Sequence, residues 1–143
     1  MKIERTASAH WTGGLKDGKG AISTKSGALS SYPYGFASRF EGVAGTNPEE
    51  LIAAAHAGCF TMALSLILGE AGLTADSLDT TAAVTLESVE GGFAITAINL
   101  KLTAKVPGTD EAAFNDLANK AKAGCPVSKA LAAVPITLEI SFG

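Results

Sequence analysis

The sequence predicts an α+β protein built as a single domain, residues 1–143. Three observations carry this expectation. The hydrophobic period switches from strand-like to helical and back, giving the order β-meander, long helix, β-hairpin, helix pair, closing strand. One stretch, Leu51 to Gly69, contains no charged residue and stands alone in the chain, as a core helix would. The composition, 47% hydrophobic with only 17% charged residues, excludes a disordered chain. A chain of 143 residues is long enough for one full core and too short for two ordinary domains.

Residues 1–45 read as strands and turns. Ile3 to Trp11 alternates loosely, and Gly13-Gly14 and Asp17-Gly18 punctuate. Ser23 to Leu29 is polar and turn-rich, Tyr32-Pro33-Tyr34-Gly35 reads as a turn or loop, and Phe36 to Val43 as a further strand. The central helix has a clear start. Asn47 is an N-cap, Pro48 stands where its missing N–H costs nothing, and Glu49 and Glu50 face the positive end of the helix dipole. Glu50 falls three after the cap, where it can close a capping box. The helix runs to about Glu70-Ala71, and Gly72 supplies the C-cap. Leu78–Glu87 and Phe93–Lys105 read as a hairpin turning at Glu90-Gly91-Gly92. Asp110 to Lys122 is an amphipathic helix with Ala113, Leu117 and Ala121 on one face, ended by Gly124. Pro126 to Ala133 is a short helix and Pro135 to Phe142 the last strand.

Composition also narrows the partners. A net charge of −3 gives no electrostatic reason to expect nucleic acid or an acidic membrane surface. Met1-Lys2-Ile3-Glu4-Arg5 has no apolar region of a secretory signal. The 51–69 run approaches the length of a membrane span, but its alanines and glycines with His56, Cys59, Thr61 and Ser65 suit a helix buried on all sides in a soluble core. A cytoplasmic protein is expected. The 26 alanines and 16 glycines, with so few charges, leave little polar surface for a lone monomer. The small residues Ala53, Ala54, Ala55, Ala57 and Gly58 would let a second copy of the helix approach.

Two cysteines are too few for a disulfide-stapled secreted domain. In a reducing compartment they are inert core residues, metal ligands or redox groups. Zinc is disfavoured by the absence of paired ligand motifs, and no cofactor or metal is expected. Cys59 lies mid-helix in an apolar run and needs a cation from elsewhere to become a thiolate; Arg39, between Ser38 and Phe40, is a candidate. Cys125 follows a glycine stop and precedes Pro126, so it is a plausible N-cap whose dipole favours the thiolate. Local sequence thus ranks Cys125 as the better activated thiol. Glu49 is the acid left over from capping. His56 reads as a core histidine satisfied by a backbone group. Ser31, Ser65 and Ser128 lack a nucleophile-elbow context, which argues against a serine hydrolase.

At this point the chain resembles a known family. Thr46-Asn47-Pro48-Glu49-Glu50-Leu51 through Ala55-His56-Ala57-Gly58-Cys59-Phe60 is similar to the signature of the osmotically inducible protein C (OsmC) family, and Ala123-Gly124-Cys125-Pro126-Val127-Ser128 to its second motif. Tyr34-Gly35-Phe36, Arg39-Phe40 and Phe93-Ala94-Ile95 fit the OsmC branch rather than the organic hydroperoxide resistance branch. Gly58 stands where the family often has Ala. The resemblance implies antiparallel sheets wrapped around long central helices in an intertwined homodimer, with two active sites at the subunit interface. It implies a thiol peroxidase acting on organic hydroperoxides and less well on hydrogen peroxide. Cys59 takes the peroxidatic position, Cys125 the resolving one, Arg39 that of the arginine supporting the thiolate, and Glu49 that of the glutamate holding the arginine. A dithiol reductant, in related proteins a lipoyl-bearing one, would reopen the resulting disulfide. The resemblance therefore reverses the local ranking of the thiols.

Helix geometry adds a condition. Positions 49 and 59 are about 15 Å apart along a straight helix, so Glu49 reaches a Cys59 only from a partner subunit or across a broken helix. Two other readings stay open: a non-catalytic dimer of the same fold binding a small apolar molecule, and a stress-induced scaffold with idle thiols.

Overall fold

A computed structural model describes all of residues 1–143. The chain forms two compact units, Met1–Leu51 and Ile52–Gly143.

In the first unit, β1 (Ala7–Thr12), β2 (Lys19–Thr24) and β3 (Tyr32–Tyr34) make an antiparallel sheet in that order. Tyr32–Tyr34, expected as a turn, is thus a short edge strand, where Pro33 is tolerated. Trp11 and Tyr34 meet edge to face with ring centroids 5.6 Å apart. Gly20 lies against both: a Cβ there would stand 2.5 Å from the Tyr34 ring and 2.6 Å from the Trp11 ring. The expected strand over Phe36 to Val43 is instead a single helical turn and a half, α1 (Phe36–Phe40). The aromatic spacing decides this. Phe36 and Phe40 are four apart, one helical turn, and their rings pack at 4.9 Å. Ser38 Oγ accepts the Gly35 N–H at 2.9 Å and bonds the Thr46 carbonyl at 2.9 Å, pinning both ends of the segment.

The long helix α2 (Pro48–Glu70) is continuous across 23 residues. Asn47 Oδ1 accepts the Glu50 N–H at 2.8 Å, so the expected cap is made. At the other end the Leu73 N–H reaches back to the Leu68 carbonyl at 2.8 Å, around a left-handed Gly72 (φ +75°).

In the second unit, α2 buries one stripe: His56, Phe60, Leu64 and Leu68, spaced by four. The opposite face, expected to be buried too, is open in the single chain: Met62 is 76% exposed and Leu66 65%. That face, with Ala57, Gly58, Thr61 and Ser65, borders an open groove of about 770 Å³ against Ala75–Thr80. The Thr61 hydroxyl bridges the Ala57 carbonyl (2.6 Å) and the Thr80 hydroxyl (2.7 Å) across it.

Strands β4 (Ser77–Val89) and β5 (Gly92–Lys105) form the expected hairpin, closed by the two-residue loop Glu90-Gly91 with Gly91 at φ +88°. β6 (Ile136–Phe142) pairs with β5 in parallel, from Ile98↔Ile136 to Ala104↔Phe142, unlike the antiparallel pairs of the other strands. A parallel neighbour needs a crossover, here α3 (Glu111–Gly124) and α4 (Pro126–Ala130). Every second residue of β5, Ile98, Leu100, Leu102 and Ala104, enters the core with the α2 stripe. From α3 the core receives Phe114, Ala118 and Ala121. The expected face of Ala113, Leu117 and Ala121 is rotated: Ala113 is exposed, because Phe114 has far more apolar area to bury and stacks on Phe142 at 4.8 Å. α4 ends at Ala130, short of the expected Ala133, because residues 131–134 turn into Pro135, which disfavours helix before it.

Phe114→Ala should lower the free energy of unfolding by about 3–5 kcal/mol. Asp110→Ala, which removes only the α3 cap to the Ala113 N–H (2.8 Å), should cost about 1 kcal/mol. Urea midpoints at one protein concentration test the ranking; equal losses would contradict this account of the core.

Candidate active site

The four residues singled out from sequence come together as two pairs, one in each unit. In the first unit Arg39 on α1 grips Glu49 in the first turn of α2. Nη2 donates to Oε1 at 2.7 Å, and Nε lies 3.2 and 3.3 Å from the two carboxylate oxygens. Arg39 was expected on a strand; it sits on α1, one residue before Phe40, whose ring centre is 5.4 Å from its guanidinium carbon. Glu49 is buried, and a buried carboxylate requires such a partner. The fork geometry leaves Nη1 outside the contacts to Glu49, and the Arg39 side chain remains 37% exposed. Beside it opens a cavity of about 190 Å³ lined mainly by Trp11, Leu15, Tyr34, Phe36 and Phe40.

In the second unit Cys59, half-buried on α2, lies within electrostatic reach of Cys125, which is fully buried. Cys125 is held on both sides: its N–H donates to the Ala121 carbonyl at 2.9 Å, ending α3, and its carbonyl accepts the Lys129 N–H at 3.1 Å, starting α4. The environments of the two thiols push in opposite directions. Burial raises the Cys59 pKa, and its role as donor to Cys125, together with the charge there, raises it further against a small pull from the Val127 amide. Burial also works against a Cys125 thiolate. Hydrogen bonds from the Cys59 thiol, from the Ser128 amide and hydroxyl and from the Val127 amide outweigh it, and the Cys125 pKa falls. Within this unit the surroundings favour negative charge on Cys125 over Cys59. The sequence-based ranking of Cys125 as the better local thiolate agrees, but the cause differs. A five-residue α4 has little dipole, and individual donors do the work.

His56 pairs with a side chain, not the expected backbone group. Its Nε2 lies 2.7 Å from Ser128 Oγ, with both residues buried. Burial lowers the His56 pKa, keeping the imidazole neutral. Ser128 is the site residue that sequence reasoning passed over. A signal was present: with Cys125 as cap, Ser128 is the third helical residue, whose side chain turns back toward the cap. No three His, Cys, Asp or Glu side chains converge in a metal-binding group.

Residues 40–140 match the family described as OsmC-like protein. The chain belongs to the OsmC-like family. Its sequence is 60% identical over 139 residues, 97% of this chain and 96% of the other, to the peroxiredoxin OsmC of Escherichia coli K12. It is 35% identical over 136 residues, 90% of this chain and 88% of the other, to an organic hydroperoxide resistance protein of Xanthomonas axonopodis pv. citri. The fold is similar to the crystal structure of the organic hydroperoxide resistance protein OhrB of Bacillus subtilis, with a TM-score of 0.75 at 32% identity, covering 95% of this chain and 98% of that one. The OsmC-like fold explains why so apolar a helix as α2 belongs to a soluble protein: its buried stripe is part of a shared core.

Because Cys59 and Cys125 influence each other within one chain, mild oxidation should close an intrachain disulfide. On a non-reducing gel the oxidised protein should run as a single chain with both thiols lost to labelling. A ladder of covalent dimers would overturn the pairing.

Proposed function

We propose that this protein is a cysteine-based peroxidase that reduces organic hydroperoxides, and hydrogen peroxide more weakly, to alcohols. The observation that carries the reading is the interacting Cys59–Cys125 pair in an OsmC-like chain. The family match crosses the boundary between the two compact units, which supports treating 1–143 as one functional domain.

In this reading the Cys59 thiolate attacks the terminal peroxide oxygen. The O–O bond breaks, the alkoxide leaves and takes a proton as the alcohol, and Cys59 becomes a sulfenic acid. The Cys125 thiolate then attacks the Cys59 sulfur, expelling hydroxide and forming the disulfide. An external dithiol, lipoyl-bearing in our proposal, supplies the two electrons that reopen it. Attack by Cys59 requires its proton to be displaced, which the Cys125 neighbourhood alone does not do. Arg39 is the cation we assign to this task, oriented by Glu49 and offering Nη1 to the thiolate and to charge developing on the peroxide. α2 is unbroken and ten positions of helix span about 15 Å, so we assign the guanidinium at each Cys59 to the partner subunit. A second copy packed on the open, small-residue face of α2 would form such a homodimer and cover Met62 and Leu66. The aromatic cavity beside Arg39 suits a hydrocarbon tail, favouring alkyl over hydrogen peroxide. We place the protein in the cytoplasm, where reduced thiols and dithiol carriers coexist.

Cys59→Ser should reduce consumption of an alkyl hydroperoxide with dihydrolipoamide to background; full turnover in that variant would overturn the peroxidase reading. Arg39→Ala should slow the step by about 10²–10³-fold, the loss typical of one preorganised charge donor, and Glu49→Gln by less. Single-turnover kinetics measures both, and rates equal to the parent's would remove these residues from the site.

A further inference from the structure

The reaction outlined above leaves one buried titratable group unused. His56 is fully buried on the core stripe of α2, yet it is not apolar, and its one hydrogen bond runs to Ser128, 72 residues along the chain. Ser128 stands three residues after Cys125, and its hydroxyl and amide favour negative charge on the Cys125 sulfur. We propose that His56 is a positioning residue for Cys125: its hydrogen bond to Ser128 fixes the Ser128 hydroxyl as a donor to the Cys125 sulfur.

The proton inventory supports this direction. A neutral imidazole has one N–H. His56 Nδ1 is buried with no hydrogen-bond partner. If the proton sat on Nδ1, a buried N–H would be orphaned, which is rarer and costlier than an unfilled acceptor lone pair. The proton therefore belongs on Nε2, which donates to Ser128 Oγ. A hydroxyl has one proton; with its oxygen already accepting from His56, that proton is turned to the sulfur. The reverse chain, Ser128 donating to His56, would leave Cys125 facing a lone pair and would disfavour its thiolate. His56 thus chooses between two arrangements of one hydroxyl. A purely apolar residue at position 56 would leave that hydroxyl free to rotate.

The proposal rests on the peroxidase reading for its purpose. Once Cys59 is a sulfenic acid it no longer donates a thiol proton to Cys125. The donors left to hold the Cys125 thiolate for attack are Ser128 and the Val127 and Ser128 amides. The bond made is S–S, the bond broken is Cys59 S–OH, and hydroxide leaves. The relay acts on this second step, through the thiolate fraction of Cys125.

The test does not depend on peroxide turnover. In a Cys59→Ser background the titratable neighbour bearing on Cys125 is removed and a hydroxyl is kept in its place. Thiolate absorbance against pH should then show Ser128→Ala and His56→Leu each lowering the thiolate fraction near neutral pH, by about tenfold for a one-unit shift. His56→Gln, which can return an N–H to Ser128, and Ser128→Thr should restore most of it. Coincident titrations in all variants would overturn the proposal. So would a shift in Ser128→Ala with none in His56→Leu, since the hydroxyl would then act without His56. Should the truncated variants fail to fold, nitrogen NMR of His56 in the unmutated protein decides. A protonated Nε2 with a pyridine-like Nδ1 is required, and a protonated Nδ1 overturns the relay. Loss of peroxidase activity with the relay intact would instead remove the peroxidase reading alone.

Discussion

The burial of one stripe of α2 is the constraint on which the second unit depends. His56, Phe60, Leu64 and Leu68 recur every fourth residue and enter a core filled by alternate residues of β5 and by Phe114, Ala118 and Ala121. Cys59, Ala63 and Ile67, each three after one stripe residue and one before the next, lie partly buried against the core. Cys59 thus occupies an edge of the stripe. It is close enough to the α3–α4 junction to meet Cys125 and open enough to be reached from outside. The same packing carries His56 to Ser128. The thiol chemistry is therefore a by-product of how a nearly featureless apolar helix selects its buried side.

The surroundings of the two thiols are unequal. Cys125 is surrounded by donors fixed by backbone hydrogen bonds at the end of one helix and the start of another. Cys59 has a helix wall and few donors. A peroxidase of this design needs an added positive charge for the first sulfur beside a permanent set of dipoles for the second. Arg39 and Glu49 are well suited to the first role, because a buried carboxylate holds the guanidinium while leaving part of it exposed.

Much of this was legible in the sequence because local chemistry and tertiary demand coincide there. Asn47-Pro48 started the helix, Gly91 turned the hairpin, and the cysteine motifs marked the thiols. Where the two diverge, the sequence misleads. Phe36–Phe40 looks like strand by composition and is helix by the spacing of its rings. The α3 face is set by Phe114, whose claim on the core comes from its contact with Phe142, 28 residues later (142 − 114). The parallel β6 pairing is invisible to any period. The His56–Ser128 bond joins two residues that each look unremarkable locally, and only the fold sets them side by side.

Gly20 has a consequence for how this protein can diverge. It lies against the rings of Trp11 and Tyr34, which line the cavity beside Arg39, and no side chain fits there without moving both of them. The cavity wall is thus inherited as a block: a change at the glycine must be accompanied by smaller residues at both positions 11 and 34. Leu15, 68% exposed and outside that block, is the wall position free to vary alone. On the proposed reading of this cavity as the substrate site, descendants of this sequence that shift their preference among hydroperoxides should reach it by drift at position 15 long before they alter the aromatic pair.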